Sequence, residues 1–164
     1  VGALSRFNVN HEQLLPQAKR AAQELGLKAP CYNPFMITVA QLVECYHALE
    51  EAIDIIDTLL SKGLKEEKPD VKVQAGRGVS AVEAPRGILF HDYTFDENGI
   101  LTQANCIIPT NQNHNNIQKD MDKLVPTILN KTEDEIRLLL EMLVRAYDPC
   151  ISCSTHLLKT SFIK

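Results

Sequence analysis

Long apolar runs are absent from this sequence. None approaches the ~18 residues that a membrane-spanning helix needs, so no membrane insertion is expected. A surplus of positive charge is also missing: 17 Lys+Arg stand against 21 Asp+Glu, a formal charge of −4 with a pI near 5.7. That balance gives no footing for nucleic acid or an anionic membrane surface as partner. No internal repeat or low-complexity stretch divides the chain, which reads as one segment, 1–164. No signal-peptide pattern precedes the first predicted helix, and five cysteines are an odd number. A disulfide framework is therefore not expected; cytoplasmic thiols, some of them holding metal, are. An initiator methionine is lacking too. The chain opens on Val1-Gly2-Ala3-Leu4, which suggests processing, trimming or a segment of something longer.

What is present is ordinary for a globular domain: 164 residues and 18.4 kDa, 45% apolar and 23% charged, enough to bury a core. Helix formers run from about Pro16 to Leu25, with Gly26 where a C-cap belongs. Thr38-x-x-Gln41 has the form of a capping box. Behind it Val39, Leu42, Val43, Tyr46, Leu49, Ile53, Ile56 and Leu60 recur at three- and four-residue steps until Gly63. This spacing predicts a long amphipathic helix that packs against a core or another helix, with Cys45 packed and His47 at the surface. A charged loop over Leu64–Asp70 follows. Alternation at Val71-Lys72-Val73 and the run Gly87–Phe95 predict strands, with Gly76 and Gly78 free to take unusual backbone angles. Asn98-Gly99, ahead of Ile100–Ile108, is a hairpin-turn signal. Two helices close the chain. One starts near Asn113 or Asn115 and runs towards Val125; the other has the capping box Thr132-x-x-Glu135 and an apolar face of Ile136, Leu139, Leu140, Leu143 and Val144. The fold class is mainly α with a small antiparallel β-hairpin sheet, α+β.

Chemistry concentrates in Asp148-Pro149-Cys150-Ile151-Ser152-Cys153-Ser154-Thr155-His156. Two thiols three positions apart can address one soft metal, and Pro149 stiffens the approach. A chance spacing or half of a structural zinc site also fits. A thioredoxin-type redox pair fits less well, because the thiols follow a helix instead of opening one. The third reading is a transition-metal site completed from elsewhere. Glu83-Ala84-Pro85-Arg86-Gly87 can hold a guanidinium over a site or be an ordinary strand-entry turn. Thr110, after Pro109, can donate a hydrogen bond to a ligand or merely cap a loop. His156 is a ligand or a polar tail residue. His91 and His114 read as structural or exposed, and Cys106, mid-strand, as a buried apolar thiol.

Taken together, Val1–Asn8, Glu83–His91, Ile107-Ile108-Pro109-Thr110 and Asp148–His156 match, in order, the motifs of one family. Over essentially its whole length the chain resembles the C-terminal part of the large, catalytic subunit of nickel–iron hydrogenases. It looks most like the soluble multi-subunit branch that couples hydrogen to nicotinamide, deazaflavin or heterodisulfide partners.

The resemblance implies residue roles. Cys150 would be a terminal nickel thiolate and Cys153 would bridge nickel and iron. The iron of this nickel–iron centre bears CO and cyanide ligands, and Arg86 and Thr110 would donate hydrogen bonds to the cyanides, since a buried anionic ligand needs fixed donors to offset its lost hydration. Pro85 and Asp148 would line the pocket above the open metal position, with Asp148 pairing Arg86. His156 would bind a structural Mg2+, joined by the backbone carbonyl of Cys106. The implied reaction is reversible heterolytic cleavage of hydrogen, with electrons leaving through an iron–sulfur small subunit.

Relatives in that family carry another Cys-x-x-Cys that supplies the other two thiolates, together with a proton-transferring glutamate. Here Cys31, Cys45 and Cys106 are isolated. The resemblance therefore implies a missing N-terminal half of the large subunit as partner, and an isolated chain that is inactive and holds neither the metal centre nor magnesium. It also implies nickel and iron maturation factors and an endopeptidase that cuts after His156, which would make 157–164 an uncleaved extension packed against another surface. Two other classes stay open: a non-catalytic scaffold related to the quinone-reductase large subunit, which lacks the thiol pair, and a small zinc or redox-thiol protein.

Overall fold

The computed structural model describes residues 1–149 and 160–161. Cys150, Cys153, His156 and the extension after it lie outside the described residues, apart from Thr160 and Ser161. The described part is helix-rich with one three-stranded antiparallel sheet, as the sequence predicts.

Two features open the chain. Helix α1 (Ala3–Asn10) is one the periodicity does not reveal; it buries Ala3, Leu4 and Phe7. Helix α2 (Pro16–Glu24) begins with proline at its first position, where no N–H is needed. It ends in a Schellman motif: Leu27 N–H donates to Ala22 C=O at 2.9 Å and Gly26 N–H to Gln23 C=O at 3.1 Å, with Gly26 at φ 71°. Helix α3 (Ile37–Lys62) ends at Gly63, φ 78°. Its predicted capping box is not formed. A 3-10 turn, Pro34–Met36, already feeds the helix, and Asn33 Oδ1 accepts from Phe35 N–H at 3.1 Å to start that turn. Thr38 consequently lies inside the first helical turn, where its hydroxyl has no free cap to make.

Ala18, Ala21 and Ala22 of α2 and Leu4 and Phe7 of α1 close on Ala40 and Val43 of α3, forming the main core. Small residues let these helices approach closely. The core reaches only the first turns of α3. Cys45 is exposed, whereas His47 is half-buried and accepts from Leu15 N–H at Nδ1 (3.2 Å), the reverse of the expectation for both.

The sheet is the meander β1 (Gly76–Ala84), β2 (Gly87–Phe95) and β3 (Leu101–Ile107). No strand forms at Val71–Val73, because the ladder of β1 against β2 begins at Gly76↔Phe95 and leaves nothing beyond for a strand to pair with. Gly76 and Gly78 are absent from the positive-φ glycines and sit in ordinary strand. The predicted Asn98-Gly99 turn is real: Asp96 Oδ1 accepts from Asn98 and Ile100 N–H at 2.9 and 2.8 Å, and Gly99 takes φ 77°.

Helix α4 (Pro109–Ile128) starts four residues before the earliest predicted start, since Pro109 opens it in the position proline favours. Helix α5 (Glu133–Ala146) has the full capping box of Thr132 and Glu135. Ile128, Ile136 and Leu140 form a second core between the two. Among the described residues no helix is long and apolar enough to cross a membrane.

Candidate active site

Pro85 and Arg86 are the two loop residues of the β1–β2 hairpin, whose last pair is Ala84↔Gly87. Proline fixes φ near −65° at the first loop position, which closes off the mirror-image turns that two-residue hairpins usually adopt. Gly87 absorbs the mismatch at φ 155°. A Cβ there would lie 3.0 Å from Pro109 Cβ, so the arginine turn and the start of α4 meet at this glycine.

Arg6 of α1 organises that turn. Its guanidinium pairs with both carboxylate oxygens of Glu44 on α3 (2.6 and 2.7 Å) and donates to the carbonyls of Ala84 (3.0 Å), Gly87 (3.0 Å) and Pro85 (3.3 Å). The side chain is only 17% exposed. Its pKa is raised above the ordinary guanidinium value, first by the Glu44 hydrogen bond, which outweighs burial. From the other side, α4 holds the next carbonyls: Asn113 Nδ2 donates to Arg86 C=O at 3.1 Å and Gln112 Nε2 to Ile88 C=O at 2.7 Å. Carbonyl oxygens that a strand end leaves unpaired are thus nearly all taken up by side chains.

So fixed, Arg86 reaches Asp148. Its Nε donates to the Asp148 backbone carbonyl and lies 3.2 Å from Oδ2, and Nη2 is 3.4 Å from Oδ1. Gln41 Nε2 of α3 donates to Oδ2 at 3.4 Å. Asp148 is the single non-glycine with positive φ (46°) among the described residues, an uncommon conformation that turns the chain sharply after α5. The pairing of Asp148 with Arg86 is therefore present, two residues before Cys150. Thr110 is buried in the first turn of α4, beside Pro109.

Cys106 departs from the sequence reading. Its thiol is exposed on the sheet, 3.5 Å from Tyr93 Oη and 3.7 Å from His91 Nδ1, and the latter two are 2.7 Å apart. His91 is half-buried and His114 exposed. Among the described residues no three His, Cys, Asp or Glu side chains gather closely enough to hold a metal ion.

Tyr147 anchors the residue before Asp148. Its Oη donates to Asp120 Oδ2 of α4 at 2.5 Å, and burial first, then Asp120, pushes its pKa well above the usual phenol value. A raised folded-state pKa means stability is fully present below the unfolded phenol pKa of about 10 and is lost as pH rises beyond it. Thermal unfolding followed from pH 9 to 11.5 should show a steady loss of stability, flatter in Tyr147→Phe. Identical slopes in the two proteins would sink this reading.

Sequence reasoning gives Arg6, Glu44 and Gln112 no individual role, and reads Gln41 and Asn113 only as helix-start residues. The one available signal was Arg6 placed between Leu4 and Phe7, two residues that face the core.

The described segment is α+β, with the clamped arginine turn paired to Asp148. The nickel-dependent hydrogenase family model matches residues 8–156, and the chain belongs to that family. It is 36% identical over 159 residues to sulfhydrogenase 1 subunit alpha of Pyrococcus furiosus, which covers 97% of this chain and 37% of that protein. It is 33% identical over 165 residues to the NAD-reducing hydrogenase HoxS subunit beta of Cupriavidus necator, covering 96% of this chain and 34% of that one. Among solved structures it is similar to an NAD+-reducing NiFe hydrogenase crystallised in its H2-reduced state, with TM-score 0.64, 26% identity, and 87% of this chain aligned to 32% of the other. The chain thus spans about a third of the length of these large-subunit relatives.

Proposed function

We propose that this chain supplies half of the thiolate ligands of a nickel–iron hydrogenase centre, through Cys150 and Cys153. The observation that carries the proposal is the Arg86–Asp148 pairing, which brings residues 62 apart in sequence together immediately before the thiol pair. The residues present fit such a group. Two soft thiolates suit nickel and iron, and a guanidinium and a buried hydroxyl, Thr110, are the donors that anionic cyanide ligands of the iron would need beside them. When bound, the centre would supply reversible heterolytic cleavage of hydrogen.

The chain's own residues do the positioning. Asp148 fixes the Nε side of Arg86, leaving other N–H groups of the guanidinium to donate to a ligand. Arg6 and Asn113 keep the turn from shifting, so those donors need no reorganisation when charge develops. Asp148 and Pro85 would border the open coordination position. His156 and the Cys106 carbonyl would hold Mg2+. The remaining ligands would come from the missing N-terminal half of the large subunit, electrons would leave through an iron–sulfur small subunit, and 157–164 would be removed by an endopeptidase after nickel and iron maturation factors have acted. The isolated chain would be inactive, and the assembly cytoplasmic.

The test is nickel and iron content of the complex purified from cells. Wild type should hold about one nickel per chain, the stoichiometry of a single bimetallic site, and Cys150→Ser/Cys153→Ser should hold almost none while its partner subunits still co-purify. Nickel retained by the double variant would refute the assignment. Zinc in place of nickel would favour the small thiol-protein reading.

A further inference from the structure

Thr38-x-x-Gln41 has the residues of a capping box but forms none, since Met36 sits at the start of α3 and makes no side-chain cap. In a formed box the glutamine would reach back to the backbone ahead of the helix. Released from that duty, Gln41 donates its Nε2 to Asp148 Oδ2 at 3.4 Å, across 107 residues of sequence. Its own backbone is firmly rooted. Ala40 and Val43, on either side of it, are fully buried in the main core with residues of α1 and α2.

One turn of α3 therefore reaches both halves of the ion pair. Gln41 takes Asp148 directly. Glu44, three residues on, takes Arg6, which grips the Ala84, Pro85 and Gly87 carbonyls of the turn that bears Arg86. Positions three apart are neighbours on a helix surface, and Gln41, Glu44 and Arg6 line one groove with Ala84 and Pro85.

The pair needs such help. The Arg86 and Asp148 side chains are 33 and 37% exposed, so water competes for both, and ion pairs of that kind hold their geometry weakly. Their side-chain contacts of 3.2 and 3.4 Å exceed the roughly 2.8 Å of a tight charge-assisted bond. Asp148 also lies past the end of α5 at φ 46°, so no regular element orients its carboxylate. A neutral amide suits the task. It donates without adding charge, whereas a lysine would draw the carboxylate away from Arg86 and an acid would repel it.

We infer that Gln41 is a positioning residue: its amide holds the Asp148 carboxylate in the orientation that engages Arg86, with α3 as the common base for both partners. The consequence for hydrogen chemistry, that the free N–H groups of Arg86 stay aimed at the ligands of the iron, rests on the hydrogenase reading. The positioning itself does not.

Gln41→Met keeps side-chain length and helix propensity while removing the donor, so the fold is retained. Crystals of the assembled complex should show the Asp148 carboxylate in two orientations in this variant and in one in wild type. Hydrogen uptake should fall about fivefold in Gln41→Met, the effect of one lost hydrogen bond, and about thirtyfold in Gln41→Glu, which displaces a partner. Nickel content should stay at the wild-type level in both, while the infrared bands of the cyanide ligands broaden because their donors no longer hold one direction. Asp148→Gly removes the carboxylate at a backbone angle that glycine accepts, and in that background Gln41→Met should cost nothing further. A single wild-type orientation of Asp148 in Gln41→Met, unchanged cyanide bands, or a loss of uptake just as large in the Asp148→Gly background would each overturn the inference. A wild-type complex without nickel would instead sink the hydrogenase reading, and the crystallographic comparison would still decide the role of Gln41.

Discussion

Replacing Arg6 with alanine should cost about 2–4 kcal/mol of stability, read as a lower urea midpoint at unchanged slope. The side chain makes two charge-assisted bonds to Glu44 and three to backbone carbonyls of the β1–β2 turn. Alanine removes all five at once and leaves the Glu44 carboxylate beside unpaired carbonyls. Water can replace part of the loss, because Glu44 is 28% exposed, and that keeps the figure below the simple sum. Arg6→Lys should recover less than half. A lysine ammonium is a point charge and cannot span a carboxylate and three carbonyls with a planar fork. Should Arg6→Ala unfold at the wild-type midpoint, the clamp is decorative, and the rigidity assigned to Arg86 loses its basis.

The second large effect is on activity. Arg86→Lys in the assembled enzyme should lower hydrogen uptake about a hundredfold, the usual cost of losing a fixed donor from a preorganised site. Nickel content should stay near wild type, because Arg86 is not a metal ligand in the proposed arrangement. Lysine keeps the positive charge but gives up the two-pronged grip on Asp148, where Nε and Nη2 both engage. Asp148→Asn should fall between the two, since its backbone carbonyl still accepts from Nε. Uptake at the wild-type rate in Arg86→Lys would mean that the guanidinium only pins the turn after α5.

What the sequence discloses divides along the range of the interactions involved. Local chemistry was legible: the Gly26 cap, the Asn98-Gly99 turn, the Thr132–Glu135 box and the span of β2 all depend on a few adjacent residues. Where a neighbour in space overrode a local signal, the reading failed. Thr38 lost its cap to the turn before it, Val71–Val73 lacked a partner strand, and Pro109 started a helix that the following asparagines concealed. Cys106 illustrates the same limit. Its mid-strand position read as buried, but every residue of β3 is exposed in this chain. The meeting of Arg86 with Asp148 was expected from the family resemblance, whereas the Arg6–Glu44 clamp beneath it joins helices 38 residues apart and left almost no trace in sequence.

The stretch between α3 and β1 is a tether. Residues 64–75 are exposed throughout and contribute no regular element, yet they join the helical core to the sheet arm that bears Arg86. The arm is held in place by side chains of α1 and α4, not by its covalent lead-in. Closing a longer link costs only about 0.6 kcal/mol for each doubling of its length. Evolution could therefore insert whole segments at this point, even another protein's recognition module, without disturbing the placement of a single guanidinium atom.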